Sequence, residues 1–452
     1  VDYTDHVIFG GIDGELSGRW TIDNSPYVIT GGVYVSNRFR IDPGVTVKFY
    51  NWTNLDVYDN ASFIAIGTEQ DSITLEAHAL ASQLGDGTNN IGNVWSGIQD
   101  FDWCCNDNDR DTLLLKYVNI HDAYNAVMMR YYDSSSDGEY EISNSYFADN
   151  GRAFDIYKQN SNDNFDILIK DSDISWNNRG IYIHGDYHGG GNPGGTGNIL
   201  IDNCNITHNG HWDQWNNDNV GIEIRHESKV TIKDSRIMYN QPRFFTADVG
   251  DGRGIGIQIY HSTPTIIGNT IAENGSMNWN NDNWWNWGIL FQGIWDNVDS
   301  IKINHNNIYK NGPHDVYFEY GCCSEDSIDM AYNYWGEFTT NEIESGDNPQ
   351  NLTRIYDRYE VGENRYIDYK NWRTSPVWTE FYVNIGQAEA IPNDTMAVDI
   401  FLATPYDTNF ISAELTFGGY SGLMDFISVD TANTLAGDND WLVFANESSS
   451  EG

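Results

Sequence analysis

One short pattern recurs through the middle of the chain, and it constrains the fold more than any other feature. Isoleucine, four residues, isoleucine or phenylalanine, two residues, asparagine reads as Ile142/Phe147/Asn150, Ile169/Ile174/Asn177 and Ile201/Ile206/Asn209. It continues as Ile232/Ile237/Asn240, Ile266/Ile271/Asn274 and Ile303/Ile308/Asn311. A weaker copy, Leu115/Ile120/Ala123, precedes the series, and Met330/Trp335 closes it. Successive copies begin 27 to 37 residues apart. A constant core at variable spacing places the insertions in one loop per repeat.

Each repeat carries a second segment led by a small residue. These are Ala153–Tyr157, Gly180–His184, Gly221–Arg225, Gly256–Tyr260 and Gly288–Gln292, with apolar side chains at the second and fourth places. Alternation of this kind marks strands with one inward face, so each repeat holds at least two. Stacked copies make a parallel solenoid with coils ~4.8 Å apart. The asparagine at one fixed place then forms a ladder, because its amide can satisfy turn backbone and it tolerates left-handed geometry. Missing leucine periodicity and scarce helix-forming text exclude a leucine-rich solenoid, and repeats this short exclude propeller blades.

The N-terminal third fits the same architecture through WTIDNSPYVITG at 20–31, IDPGVTVKF at 41–49, FIAIGT at 63–68 and Ile73-Thr74-Leu75. At these residues the chain resembles the secreted right-handed parallel β-helix proteins of the pectate-lyase-like superfamily. Tyr332-Asn333-Tyr334-Trp335-Gly336 is similar to the Asn-x-Trp-Gly signature that often closes such helices. The resemblance covers 1–375 and implies fold far more than activity, since the superfamily spans lyases, hydrolases, epimerases, adhesins and inactive surface proteins. From about Tyr382 the text changes, and the strand-like runs of 376–452 resemble the opening strands of a cohesin-like β-sandwich, too short for a complete one. The expected fold is therefore all-β: a right-handed parallel β-helix followed by a small or incomplete β-sandwich and a linker-like tail.

A formal charge of −42, from 66 acidic and 24 basic residues, argues against nucleic acid and anionic membrane as partners and for cations. No apolar run approaches the ~20 residues of a bilayer span. A start at Val1 without an apolar leader reads as a processed end, so the expected location is extracellular or at the cell surface. Asn-X-Ser/Thr triplets at Asn51, Asn60, Asn205, Asn274, Asn351, Asn393 and Asn446 would permit glycosylation there. Asp107, Asp109 and Asp111 alternate as carboxylates converging on Ca²⁺ do, which makes calcium the expected cofactor. Cys104-Cys105 and Cys322-Cys323 are too closely spaced for zinc. They suit vicinal disulfides or bridges between subunits in a self-associating filament. Cys204 reads as a buried core thiol.

Aligning the small-residue strands stacks Met128, Asp155, Tyr182, Glu223, Gln258, Leu290 and Tyr317 in one outward column. A second column holds Arg130, Tyr157, His184, Arg225, Tyr260, Gln292 and Glu319. Such a wall suits saccharides, whose rings pack on aromatics and whose hydroxyls bond to carboxylate, guanidinium and imidazole. Asp155 and Glu223, two coils and ~10 Å apart at the backbone, sit near the upper end of the separation used by inverting glycosidases. Arg225 beside Glu223 and His226 is the best local site for a base of lyase chemistry, and His184 is a further catalytic candidate on the same face. Trp215 and Trp279 open identical Trp-Asn-Asn-Asp-Asn stretches, and Trp284 and Trp285 follow the second. With Tyr182 and Tyr260 these are the expected ligand contacts. Three functions remain open: a self-assembling, calcium-stabilised surface scaffold, a carbohydrate-binding adhesin, and a polysaccharide lyase or glycoside hydrolase.

Overall fold

A computed structural model describes residues 11–377, apart from 59, 79–93, 103–110, 132–138, 159–165, 186–197, 211–217, 227–228, 242–252, 276–285, 295–299, 322–325 and 363. It also describes the antiparallel pair Tyr382–Ile385 and Ile400–Ala403. The chain divides into two units, Val1–Tyr406 and Asp407–Gly452, and the second lies outside the described residues. The sandwich expected over 376–452 is therefore described only in that one strand pair.

The first unit is a parallel β-solenoid in which 31 strands form one hydrogen-bonded sheet. Each coil has three faces, one more than the pattern required. Through the middle of the chain, face A contains Asn125–Tyr131, Arg152–Lys158, Arg179–Gly185, Asp218–Arg225, Arg253–Tyr260 and Asn286–Ile294. Face B contains Glu139–Ser143, Asp166–Lys170, Ile199–Asp202 and Val230–Lys233. Face C contains Tyr146–Ala148, Asp173–Ser175, Asn205–Thr207 and Arg236–Met238. The four residues between the two apolar positions of the repeat hide a corner. Asn144, Asp171, Asn203 and Asp234 turn the chain there from face B to face C with φ of 50–53°, a left-handed geometry that Asn and Asp tolerate best.

Registers run coil to coil without slippage through the middle. Ile174 lies over Ile206, Ile206 over Ile237, and Ile237 over Ile271, and all four are fully buried in one interior row. Burying apolar area at about 25 cal/mol per Å² is the main force holding such coils together. Where face A begins, Asn150, Asn177, Asn209, Asn240, Asn274 and Asn311 form the expected ladder, each donating Nδ2 to the next Oδ1 at 2.9–3.0 Å. Each Nδ2 also donates to a carbonyl of the preceding coil, as Asn209 does to Ile174 at 2.9 Å. The small residue leading each face A strand follows from this, because a Cβ on Gly256 would come within 2.8 Å of Asn274 Nδ2 and 2.6 Å of the Gly288 carbonyl oxygen. The ladder ends on Asp315, which accepts from Asn311 at 3.0 Å and is paired with Arg354 at 2.7 Å. A carboxylate suits that end, since it accepts without needing to donate onward.

A second ladder supports the B–C corner through Ser145, Ser172, Cys204, Ser235, Asn269, Asn306 and Asn333. Cys204 is buried as expected, but it is a corner residue: its thiol donates to the carbonyls of Ile169 and Asp202. Burial pushes its pKa up to about 12.

A helix, Gly336–Ser345, buries Thr339, Thr340 and Ile343 beyond the last full repeat and leaves the all-β class unchanged. One expectation needs correction: insertions use two corners, not one. Those at 103–110, 132–138, 159–165, 186–197, 295–299 and 322–325 leave between faces A and B, whereas 79–93, 211–217, 242–252 and 276–285 leave between C and A. From Lys116 onward the B–C corner carries none, because its turn is built into the Ser/Asn ladder; in an earlier coil Gly67–Ser72 join Ile66 on face B to Ile73 on face C, where the next coil has Tyr117 alone.

Candidate functional site on face A

From Lys116 onward, among the described residues, face A is the face bordered by insertions on both edges. The outward column forms as aligned: Met128 over Asp155, then Tyr182, Glu223, Gln258, Leu290 and Tyr317. The second column holds Arg130, Tyr157, His184, Arg225, Tyr260 and Gln292. At its end a bulge brings Tyr320 opposite Gln292 instead of Glu319, although Gln292 still hydrogen-bonds to the Glu319 carboxylate.

The first column is not the solvated wall that strand alternation implies. Asp155 is 0% exposed and Glu223 1%. Arginines fold over both. Arg152 reaches Asp155 at 2.7 Å and Arg130 at 3.3 Å, while His184 Nε2 stands 3.1 Å away. Arg179 reaches Glu223 at 3.3 Å from the coil before, and Arg225 pairs with it in the same strand. Burial alone would raise the Asp155 pKa. The hydrogen bond from His184 and the charges of Arg152 and Arg130 reverse this and hold it below the usual carboxylate range. An ionised Asp155 can only accept, so the His184 nitrogen facing it carries the proton.

Tyr182 lies between the two carboxylates, with the guanidinium groups of Arg152, Arg179 and Arg225 5.1, 5.6 and 5.9 Å from its ring centre. It also stacks on His184 at 4.4 Å. Arg225 lies 5.7 Å from the centre of the Tyr260 ring as well. Four guanidinium groups against two carboxylates leave two net positive charges on this stretch, within a chain of formal charge −42. Arg152 and Arg179 were missed because the aligned strands started one residue too late. Both stand immediately before the small residue, and they pair in register.

Toward the C-terminus the face changes character. Val220, Ile255, Trp287 and Leu290 form a separate buried apolar cluster. Trp287, Tyr317 and Tyr356 stack at 4.6 and 4.5 Å, and burial pushes Tyr317 up to about 12.

The other expected site residues fall elsewhere. Trp215, Trp279, Trp284, Trp285, Asp107, Asp109, Cys104, Cys105, Cys322 and Cys323 lie outside the described residues. Asp111 is buried, and its Oδ1 accepts the Ala61 N–H at 3.0 Å, so that oxygen serves the backbone. Among the described residues, no group of three or more His, Cys, Asp or Glu is placed to hold a metal ion, and no helix is long and apolar enough to cross a membrane.

These coils define a class. The family model for the right handed beta helix region matches residues 104–348, more than half of the chain, and the chain belongs to that family. No curated protein and no solved structure matches it.

Proposed function

We propose that this chain is an extracellular or surface β-helix that binds an acidic polysaccharide along face A. The observation behind this reading is the cationic, tyrosine-lined stretch from Arg130 to Arg225. Its four arginines range from 14% to 35% side-chain exposure around the half-buried Tyr182. Guanidinium groups pair in the plane of a carboxylate or sulfate, and tyrosine offers an amphipathic surface to a sugar. The buried Asp155 and Glu223 then act as internal counter-ions that hold the arginines in place. Asp155 held ionised is the opposite of what the general acid of an inverting glycosidase needs.

Calorimetric titration with polygalacturonate, alginate and a neutral glucan tests the reading at low and high salt. Binding to an acidic polymer should weaken with salt, and the neutral glucan should not bind. The double variant Arg179→Ala/Arg225→Ala should lose at least about tenfold in affinity, as expected when two charge-assisted contacts are removed. Absence of binding to either acidic polymer, or equal binding by the variant, overturns the proposal. Unsaturated uronate appearing at catalytic rates would move the assignment to a lyase.

A further inference from the structure

The sequence contains Asn-Gly four times, at Asn150-Gly151, Asn209-Gly210, Asn274-Gly275 and Asn311-Gly312, and every one of these asparagines belongs to the buried ladder. Two separate demands of the fold meet in this dipeptide. The ladder requires the asparagine. The glycine is required because the coils approach closely behind it. A Cβ on Gly151 would lie 2.4 Å from the Tyr124 carbonyl oxygen, one on Gly312 2.3 Å from that of Asn286, and one on Gly275 2.5 Å from Asn286 Cβ. Gly210 has φ of 122°, which side chains rarely adopt.

Asn-Gly is also the dipeptide in which the backbone most easily attacks the side chain, because glycine leaves its nitrogen unhindered. The glycine nitrogen loses its proton and bonds to the asparagine Cγ, and the C–Nδ2 bond breaks to expel ammonia. Water then opens the resulting five-membered imide to aspartate or isoaspartate. Both the attacking and the departing nitrogen are engaged here. The N–H of Gly151 is bonded to the Ala123 carbonyl at 2.8 Å, that of Gly210 to Asn177 at 2.7 Å, that of Gly275 to Asn240 at 3.0 Å and that of Gly312 to Asn274 at 2.8 Å. Each departing Nδ2 donates two hydrogen bonds, as Asn274 does to the Ile237 carbonyl at 2.8 Å and Asn311 Oδ1 at 2.9 Å.

We propose that these four pairs are latent deamidation sites, kept inert by the wound solenoid and released when a coil opens, so that opening becomes irreversible. Once formed, aspartate cannot donate to the carbonyl below or to the Oδ1 above, and it places an unpaired charge in a buried row. Isoaspartate lengthens the main chain by one carbon and destroys the register. The change would be most damaging at Asn311, where a new carboxylate would face Asp315.

Peptide mapping of the whole chain after incubation in mildly alkaline buffer, folded and urea-unfolded, tests this. The readouts are the gain of one mass unit at each pair and isoaspartyl methylation. Folded protein should react about a hundredfold or more slowly at all four pairs, since only the open population can react. Reaction of any pair at the unfolded rate in folded protein overturns the lock. Chains already deamidated in urea should fail to refold to the native strand signal, whereas unmodified chains recover it. Equal recovery would overturn the irreversibility.

Discussion

Replacing one ladder rung measures how much of the solenoid's stability the asparagines carry. In Asn209→Ala, the Asn177 backbone N–H loses its acceptor at 3.1 Å and the Ile174 carbonyl loses its side-chain donor at 2.9 Å. Both lie in a dry row, with Asn177, Asn209 and Ile174 fully buried. An orphaned buried polar group costs about 1–3 kcal/mol, so two predict a loss of about 4 kcal/mol. Repeat arrays fail coil by coil, so a single global midpoint would dilute the effect. Amide hydrogen exchange is the better assay. Exchange should accelerate from Asn177 to Asn240 and much less in coils farther away. Asn205→Ala is the matched control on the same coil, because Asn205 faces outward and only bridges to Asp173 at 3.2 Å; it should cost under about 0.5 kcal/mol. A loss below about 1 kcal/mol at Asn209, or exchange spread evenly along the chain, would refute the ladder's role.

Arg152→Ala should destabilise the coil of Asp155 by about 2 kcal/mol by denaturant titration, less than a bare buried charge costs because Arg130 and His184 remain. Cys204, with its pKa pushed up to about 12, should resist iodoacetamide in the folded protein and react once unfolded; Cys204→Ser, restoring the residue of the neighbouring coils, should change stability by less than about 1 kcal/mol. Burial, mainly, lifts Asp357 to about 6, so the folded state holds its proton more tightly than the unfolded chain does. Stability near Asp357 should therefore be greatest at acid pH and fall by up to about 3 kcal/mol as pH rises from about 4 to 7, read from exchange at the Tyr359 and Ile367 amides. Asp155 has the opposite sign: its lowered pKa stabilises above the ordinary carboxylate range, and that contribution is lost on further acidification.

The interior rows and the ladder were legible in the sequence because both are strictly periodic, and stacking turns period directly into contact. Ile174, Ile206, Ile237 and Ile271 could be placed without coordinates. The third face was not legible, since its strands are short and joined to their neighbours by a single left-handed residue that leaves no gap in the text. The columns of face A were readable as positions, but their burial was not. Strand alternation says that Asp155 points outward. It cannot say that Arg152, which stands outside the alternating segment, and Arg130 from the coil before will fold over it. Those pairings depend on long side chains reaching across coils, and no local pattern encodes that reach.

Beyond Lys116 the B–C corner runs uninterrupted to the end of the solenoid. From Tyr117 onward its single-residue turns leave that edge with the same path length in each coil, while the opposite side of the coils tolerates additions from none to a dozen or more residues. Pitch is thus set along one seam. A segment grafted or trimmed at either border of face A should leave the winding intact, which makes this chain a ruler of fixed gauge on which the recognition side can be rewritten a coil at a time.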